Sequence, residues 1–183
     1  GNFNNEIGLP LTLFGLTSKH RTAVVEMAMR GPGQIAYLAN IAKPRIGVIT
    51  NIHLTHIELL GTLDAIADAK GEVLDFLPPD GLAVLNADDA RVKEMYRLTR
   101  AKPLFFSRLR EVGEGAFLRG GDIVLRLDGK ERVLMPADNV CIPGPHNLEN
   151  AMAAACLGAC MGIEDAAIAT ALATFPGVEH RLE

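Results

Sequence analysis

The sequence predicts an α/β fold: a mostly parallel, doubly wound sheet with flanking helices and a small antiparallel meander at its edge. Three observations carry this expectation. Short β-branched runs alternate with segments of helical period between residues 22 and 107, the pattern of successive βαβ units. A glycine-punctuated stretch from Gly115 to Gly129 then alternates apolar and polar residues around Gly120-Gly121 and Asp128-Gly129, which marks antiparallel hairpins. A length of 183 residues suits one domain with a core large enough to need no staples.

In chain order, the patterns predict a strand near 22 to 27, a helix near 33 to 42 and a strand near 46 to 51. A helix follows near 62 to 76, with Leu63, Ile66, Ala67, Val73 and Leu74 as its apolar face. A strand near 82 to 86, a helix near 89 to 99 and a strand near 103 to 107 complete the alternating part. The hairpins come next and are placed at the sheet edge. Ile142-Pro-Gly-Pro145 forms a turn, an alanine-rich helix runs from about 146 to 161, and Gly162 ends it in the left-handed conformation. A last helix covers about 164 to 173.

Composition narrows the function classes. With 49% hydrophobic residues, 22% charged residues and a formal net charge of -4, the chain has neither the signature of disorder nor the basic footprint of a nucleic-acid binder. Its expected partners are small molecules or proteins. Of three cysteines, Cys156 and Cys160 lie in an apolar run and Cys141 makes the number odd, so free thiols in a reducing compartment are expected, with the cytoplasm as the location. No apolar stretch reaches the roughly 18 residues of a membrane span, and the polar start Gly1-Asn-Phe-Asn-Asn-Glu6 is not a signal peptide. The opening without Met and the end at His180-Arg-Leu-Glu183 read as an excised piece.

Polar residues at strand ends and helix starts are the candidates for chemistry, because an open parallel sheet binds ligands outside the carboxyl ends of its strands. Glu26 ends an apolar strand before Met27-Ala-Met-Arg-Gly-Pro-Gly33; it reads either as an oxygen ligand for Mg²⁺ or as a capping or ion-paired glutamate. Asn51 ends the next strand, and His53 and His56 follow it, as metal ligands or as surface loop residues. Lys70 lies on the 62 to 76 helix, where solvation alone would explain it. Asn147 and Asn150, three apart at a helix start, present two amides on one face, fit for a purine edge or for a cap.

Together these residues carry a family likeness. Gly1-Asn-Phe-Asn-Asn-Glu-Ile-Gly-Leu-Pro10, Val25-Glu-Met-Ala with Gly31-Pro-Gly-Gln-Ile-Ala36, Thr50-Asn-Ile with His56, Ala69-Lys-Gly-Glu72, Leu85-Asn-Ala-Asp-Asp89, His146-Asn-Leu-Glu-Asn150 and His180-Arg-Leu-Glu183 resemble, in order and over nearly the whole chain, the signatures of the Mur ligase central domain. That family's cytoplasmic enzymes use ATP to join an amino acid or dipeptide to a carboxylate of a UDP-muramyl precursor through an acyl phosphate, during peptidoglycan synthesis. The resemblance implies ATP and Mg²⁺ as cofactors, Glu26 and His56 as metal ligands, and Lys70 as a lysine carbamylated into an anionic group. It also implies Asn147 and Asn150 as the adenine contacts, Arg181 as a nucleotide arginine, and Asn4, Asn5 and Asn51 on the substrate side.

Two departures qualify the likeness. No G-x-x-x-x-G-K-[ST] phosphate loop occurs; in the family it precedes the region that Gly1 opens, so the expectation is a single central domain truncated at its amino terminus. The family's amino-terminal and carboxy-terminal domains are also missing, and the isolated chain is expected to be inactive. The first 90 or so residues resemble the D-alanyl-D-alanine-adding member, whereas the chain from about Gly115 resembles the D-glutamate-adding member. This leaves the amine open and suggests a mosaic junction near 90 to 115. The competing reading is a non-catalytic or engineered module that keeps the scaffold without nucleotide chemistry.

Overall fold

The computed structural model describes residues 3 to 53 and 60 to 178. Its elements in order are α1 (Gly8–Phe14), α2 (Gln34–Ala42), β1 (Ile46–Ile49), α3 (Leu63–Gly71), β2 (Leu82–Asn86), α4 (Ala90–Glu94), β3 (Lys102–Ser107), β4 (Gly115–Arg119), β5 (Asp122–Leu127), β6 (Lys130–Pro136), α5 (Pro145–Cys160) and α6 (Asp165–Thr174). The six strands form a mostly parallel sheet in the order β1-β2-β3-β4-β5-β6. β3 pairs parallel to β4, and the β4-β5-β6 meander is antiparallel and occupies the edge, as the hairpin signals predict.

Local chemistry explains the element boundaries. Thr62 caps α3 by accepting from the Ala65 amide at 3.1 Å, and Asp89 caps α4 by accepting from the amides of Arg91 and Val92. Short 3-10 turns, Glu72–Phe76 and Met95–Leu98, extend these two helices. Pro145 opens α5 at its first turn, where a missing amide hydrogen costs nothing. Gly162, with φ 74°, ends it in the left-handed region.

The sequence pattern fails at two places. Residues 22 to 29, which include the strand expected near 22 to 27, form no strand. Val25, Met27 and Met29 do turn inward while Val24, Glu26 and Ala28 face out, so the period of two is real. A strand additionally requires a ladder, and the Ala28 amide bonds instead to the carbonyl of Asn4 at 2.9 Å. Conversely, α1 (Gly8–Phe14) forms in a segment for which the pattern predicted no element. Proline is tolerated in a first helical turn, and Asn5 Oδ1 accepts from the Ile7 and Gly8 amides at 3.1 and 2.8 Å, starting the helix.

The chain divides into two compact units, each with its own packing. The first comprises the described residues within Gly1–Gly47, Ile52–Ala83 and Arg97–Lys102; there Leu9, Ile35, Leu38, Ile66 and Leu74 are buried. The second comprises those within Val48–Asn51, Val84–Tyr96 and Pro103–Glu183; Leu85, Phe106, Phe117, Leu125 and Met152 are fully buried there. Removing each such side chain from water contributes about 1.5 to 3 kcal/mol. Cys156 is buried and Cys160 half-buried, both as free thiols; burial, then the neighbouring Cys160, pushes the Cys156 thiol up to about 12. Among the described residues no helix is long and apolar enough to cross a membrane.

The meander is held by charge as well as by backbone bonds. Arg119 and Arg126 both bond Glu111 and Glu131, and the two guanidinium groups lie 5.1 and 4.6 Å from the Phe117 ring centroid. Hydrogen bonds from Arg119 and Arg126 hold the Glu111 carboxyl at about 2, below its ordinary 4.5. A depressed carboxylate stabilises the fold above its ordinary value and ceases to do so as pH falls through the folded one. Protection of the β4 and β5 amides, corrected for the intrinsic exchange rate at each pH, should therefore fall between pH 4.5 and about 2; protection unchanged across that window would mean the network contributes nothing.

Gly115 has φ 130°, and an added Cβ would lie 1.8 Å from the Phe105 carbonyl oxygen on the paired strand. Gly115→Ala should lower unfolding stability by at least about 3 kcal/mol in urea titration. A loss below about 1 kcal/mol would show that the β3-β4 register can shift to accept a methyl group.

Candidate functional site

In the first unit, a set of hydrogen bonds orders the segment that ends at Gly33. Asn4 Nδ2 donates to Glu26 Oε1 at 3.1 Å, while the Asn4 main-chain carbonyl takes the Ala28 amide. Thus Asn4, expected on the substrate side, and Glu26, expected at the metal, stand together. Asn5 differs: its side-chain oxygen starts α1. The following loop folds over Gln34, whose Oε1 accepts from the Arg30 and Gly31 amides.

Glu72 is the anchor that the sequence did not single out by role. Its two carboxylate oxygens accept from the Gly33 amide at 2.6 Å and the Ala36 amide at 2.9 Å. A carboxylate at the amino terminus of α2 satisfies amides that have no partner inside the helix and meets the positive end of its dipole. Gly33 itself has φ 82°, the left-handed region that suits glycine. Lys70, half-buried in the last turn of α3, is only two residues before Glu72, so the bonds that fix Glu72 also fix the end of the helix bearing Lys70. The signal in the sequence was Glu72 within Ala69-Lys-Gly-Glu72, but its partners lie 36 and 39 residues away.

In the second unit, polar side chains gather at the ends of β2 and β3 and at the start of α5. Asn86, 2% exposed, donates from Nδ2 to Glu149 Oε2 at 3.3 Å and accepts on Oδ1 from the Asp88 amide at 2.8 Å. Arg108 Nε donates to Glu149 Oε1 at 3.3 Å. Asp88 accepts from the Ser107 hydroxyl at 2.6 Å and from the Arg108 and Leu109 amides at 2.7 and 3.2 Å. Sequence reasoning quoted Asn86, Asp88 and Glu149 without roles. An Asn and Asp pair just after a strand was the available signal.

On α5, Gly144 rather than an asparagine is the amino-terminal cap. Asn147 Nδ2 donates to the Pro143 carbonyl at 2.7 Å and closes the preceding turn. Asn150 is exposed, and Asn51 lies half-buried just past β1. His56 and Arg181 lie outside the described residues. Glu26 and Asn150 belong to different units. Among the described residues no cluster of three or more His, Cys, Asp or Glu exists. Glu26 fits Mg²⁺ as a hard oxygen donor, because that ion commonly takes one or two carboxylates and completes its shell with water and phosphate oxygens.

With the geometry in place, comparison decides the family. The model of the Mur ligase middle domain matches residues 1–158. The chain belongs to that family. It is 45% identical over 168 residues to the UDP-N-acetylmuramoyl-tripeptide--D-alanyl-D-alanine ligase of a Synechocystis strain, covering 89% of this chain and 34% of that protein. It is 39% identical over 145 residues to the UDP-N-acetylmuramoylalanine--D-glutamate ligase of Pelotomaculum thermopropionicum, covering 79% of this chain and 32% of that protein. Among solved structures, MurF from Acinetobacter baumannii matches all of this chain over 40% of its own, with a TM-score of 0.84 and 25% identity. MurF ligase from Thermotoga maritima in complex with ADP matches 99% of this chain over 42% of its own, with a TM-score of 0.72 and 26% identity. The Mur ligase middle domain therefore spans here about a third of the curated ligases it matches.

The Glu72 anchor yields a direct test. Glu72→Gln keeps one acceptor oxygen for two amides, so unfolding stability should fall by about 1 to 2 kcal/mol, and exchange at Gly33 and Ala36 should accelerate selectively in a residue-resolved measurement. Unchanged exchange at both amides would contradict the anchoring role.

Proposed function

We propose that this chain is the ATP- and Mg²⁺-binding core of a cytoplasmic peptidoglycan precursor ligase, which joins an amino acid or dipeptide to a UDP-muramyl (peptide) carboxylate through an acyl phosphate. The Asn4 to Glu26 hydrogen bond of 3.1 Å carries the reading: it places a carboxylate suited to Mg²⁺ beside an asparagine suited to a sugar or carboxylate substrate. Family membership and the ADP-bound MurF neighbour support a nucleotide as the ligand.

The roles follow from charge. Bound Mg-ATP supplies the phosphoryl group that activates the muramyl carboxylate. Developing negative charge must be neutralised for such a transfer, and Glu26 with His56 would hold the cation that does so. Lys70, carbamylated, turns a positive side chain into an oxygen donor. The Asn147 and Asn150 amides would offer donors and acceptors to the purine edge, Arg181 is assigned to the nucleotide, and Asn4, Asn5 and Asn51 are each assigned to the substrate.

The uridine-diphosphate and amine sites are assigned to other domains of a complete enzyme, because the chain spans about a third of its curated relatives. In isolation the chain binds nucleotide but does not turn over. The dipeptide D-alanyl-D-alanine is favoured as the amine by the 45% identity over 89% of the chain.

In the protein carrying all three family domains, ATP hydrolysis should couple to addition of D-alanyl-D-alanine and not of D-glutamate. Lys70→Ala should lose at least about tenfold in kcat, a barrier increase of about 1.4 kcal/mol, and a small carboxylic acid should restore part of it. Addition of D-glutamate would overturn the amine assignment, and unchanged turnover would remove Lys70 from the mechanism.

A further inference from the structure

We propose that Glu149 and Asn86 form a positioning brace that sets the rotation of α5, so that Asn150 meets the purine edge at a fixed angle. The inference rests on the adenine role assigned to Asn150 above, and both residues of the brace act through that asparagine rather than on the nucleotide. All of its parts lie in the second unit.

The geometry makes a closed circuit. Asn86 uses both ends of its amide, Nδ2 on Glu149 at 3.3 Å and Oδ1 on the Asp88 amide at 2.8 Å. Glu149 uses both oxygens, one for Asn86 and one for the Arg108 guanidinium at 3.3 Å. The Arg108 amide returns to Asp88 at 2.7 Å. The circuit therefore joins the end of β2, the end of β3 and the second turn of α5. It is well shielded: Asn86 is 2% exposed, and the Glu149 side chain is 17% exposed. A donor and acceptor set with this little exposure is costly to leave unpaired, so it holds a defined arrangement.

Glu149 precedes Asn150 directly, and successive side chains on an α-helix are about 100° apart. Pinning Glu149 against the strand ends thus turns Asn150 away from them, which agrees with its exposure. The turn before the helix is fixed separately, by Asn147 on the Pro143 carbonyl. The residues flanking the purine face are held at two points, and hydrogen-bond recognition of one purine against another depends on such fixed angles.

The directional chemistry supplies a test that simple loss of stability cannot imitate. Asn86→Asp sets a carboxylate against the Glu149 carboxylate. Adding Glu149→Gln restores a donor and acceptor pair with its direction reversed, leaves one oxygen for Arg108 and leaves one Asp oxygen for the Asp88 amide. Calorimetric titration of this chain with Mg-ATP and Mg-GTP should show saturable ATP binding that Asn150→Ala weakens by about tenfold or more. Asn86→Asp alone should weaken ATP by a similar factor and shrink the ATP to GTP preference, and the double variant should recover both to within about threefold. Should Asn86→Asp fail to fold, Glu149→Gln alone, which sets two amide donors face to face, is expected to show the same loss of preference, with the double variant as its rescue.

Absent ATP binding, or an Asn150→Ala variant that binds like the parent, would overturn the adenine reading and the brace with it. If Asn150→Ala weakens binding while the brace variants change only the melting temperature, or the double variant fails to restore the preference, the brace is overturned and the adenine reading stands.

Discussion

The carboxylate of Asp88 is the constraint on which the second unit is built. With its side chain only 7% exposed, it would be a severe liability without partners, since an unpaired charge removed from water costs several kcal/mol. It is instead surrounded by the Ser107 hydroxyl and the Arg108 and Leu109 amides, and Arg110 Nε stands 3.6 Å away. Satisfying it obliges β3 to end at Ser107 and the chain to turn there. That turn delivers Arg108 to Glu149, and the Asp88 amide holds the Asn86 side chain that reaches the same glutamate. The carboxylate thereby fixes the turn after β3, and the main-chain amide of the same residue holds the Asn86 side chain at the end of β2.

The first unit solves a similar problem with Glu72, whose oxygens occupy the amide donors at the start of α2. In both units a carboxylate that belongs to a sequence signature is spent on the scaffold. Asn4 also serves the scaffold: its side-chain amide donates to Glu26, and its main-chain carbonyl accepts from the Ala28 amide. The signature segments therefore contain residues whose structural partners lie far along the chain, and spacing does not reveal them.

Much of the fold was legible because it rests on local periodicity. The alternating strands and helices from β1 to β3, the meander with Gly120-Gly121 and Asp128-Gly129 at its turns, and the Gly162 stop on α5 all follow from short-range rules. Residues 22 to 29 kept their alternation but had no ladder, a property of partners and not of pattern. Helix α1 carried no element expectation, and Pro10 in its first turn is compatible with it. At the site, Glu26, Lys70 and the α5 asparagines could be singled out by type and place. Glu72, Asp88 and Glu149 could not be given roles, because their partners lie between 19 and 63 residues away.

The central claim is that recognition of a nucleotide is built into these 183 residues, with Asn150 at its purine edge. Isothermal titration of the folded chain with Mg-ATP, with Asn150→Ala alongside, addresses it most directly. The account predicts saturable binding that the variant weakens by about tenfold or more. A chain that is folded by circular dichroism yet releases no heat with Mg-ATP, or whose variant binds equally well, would contradict it.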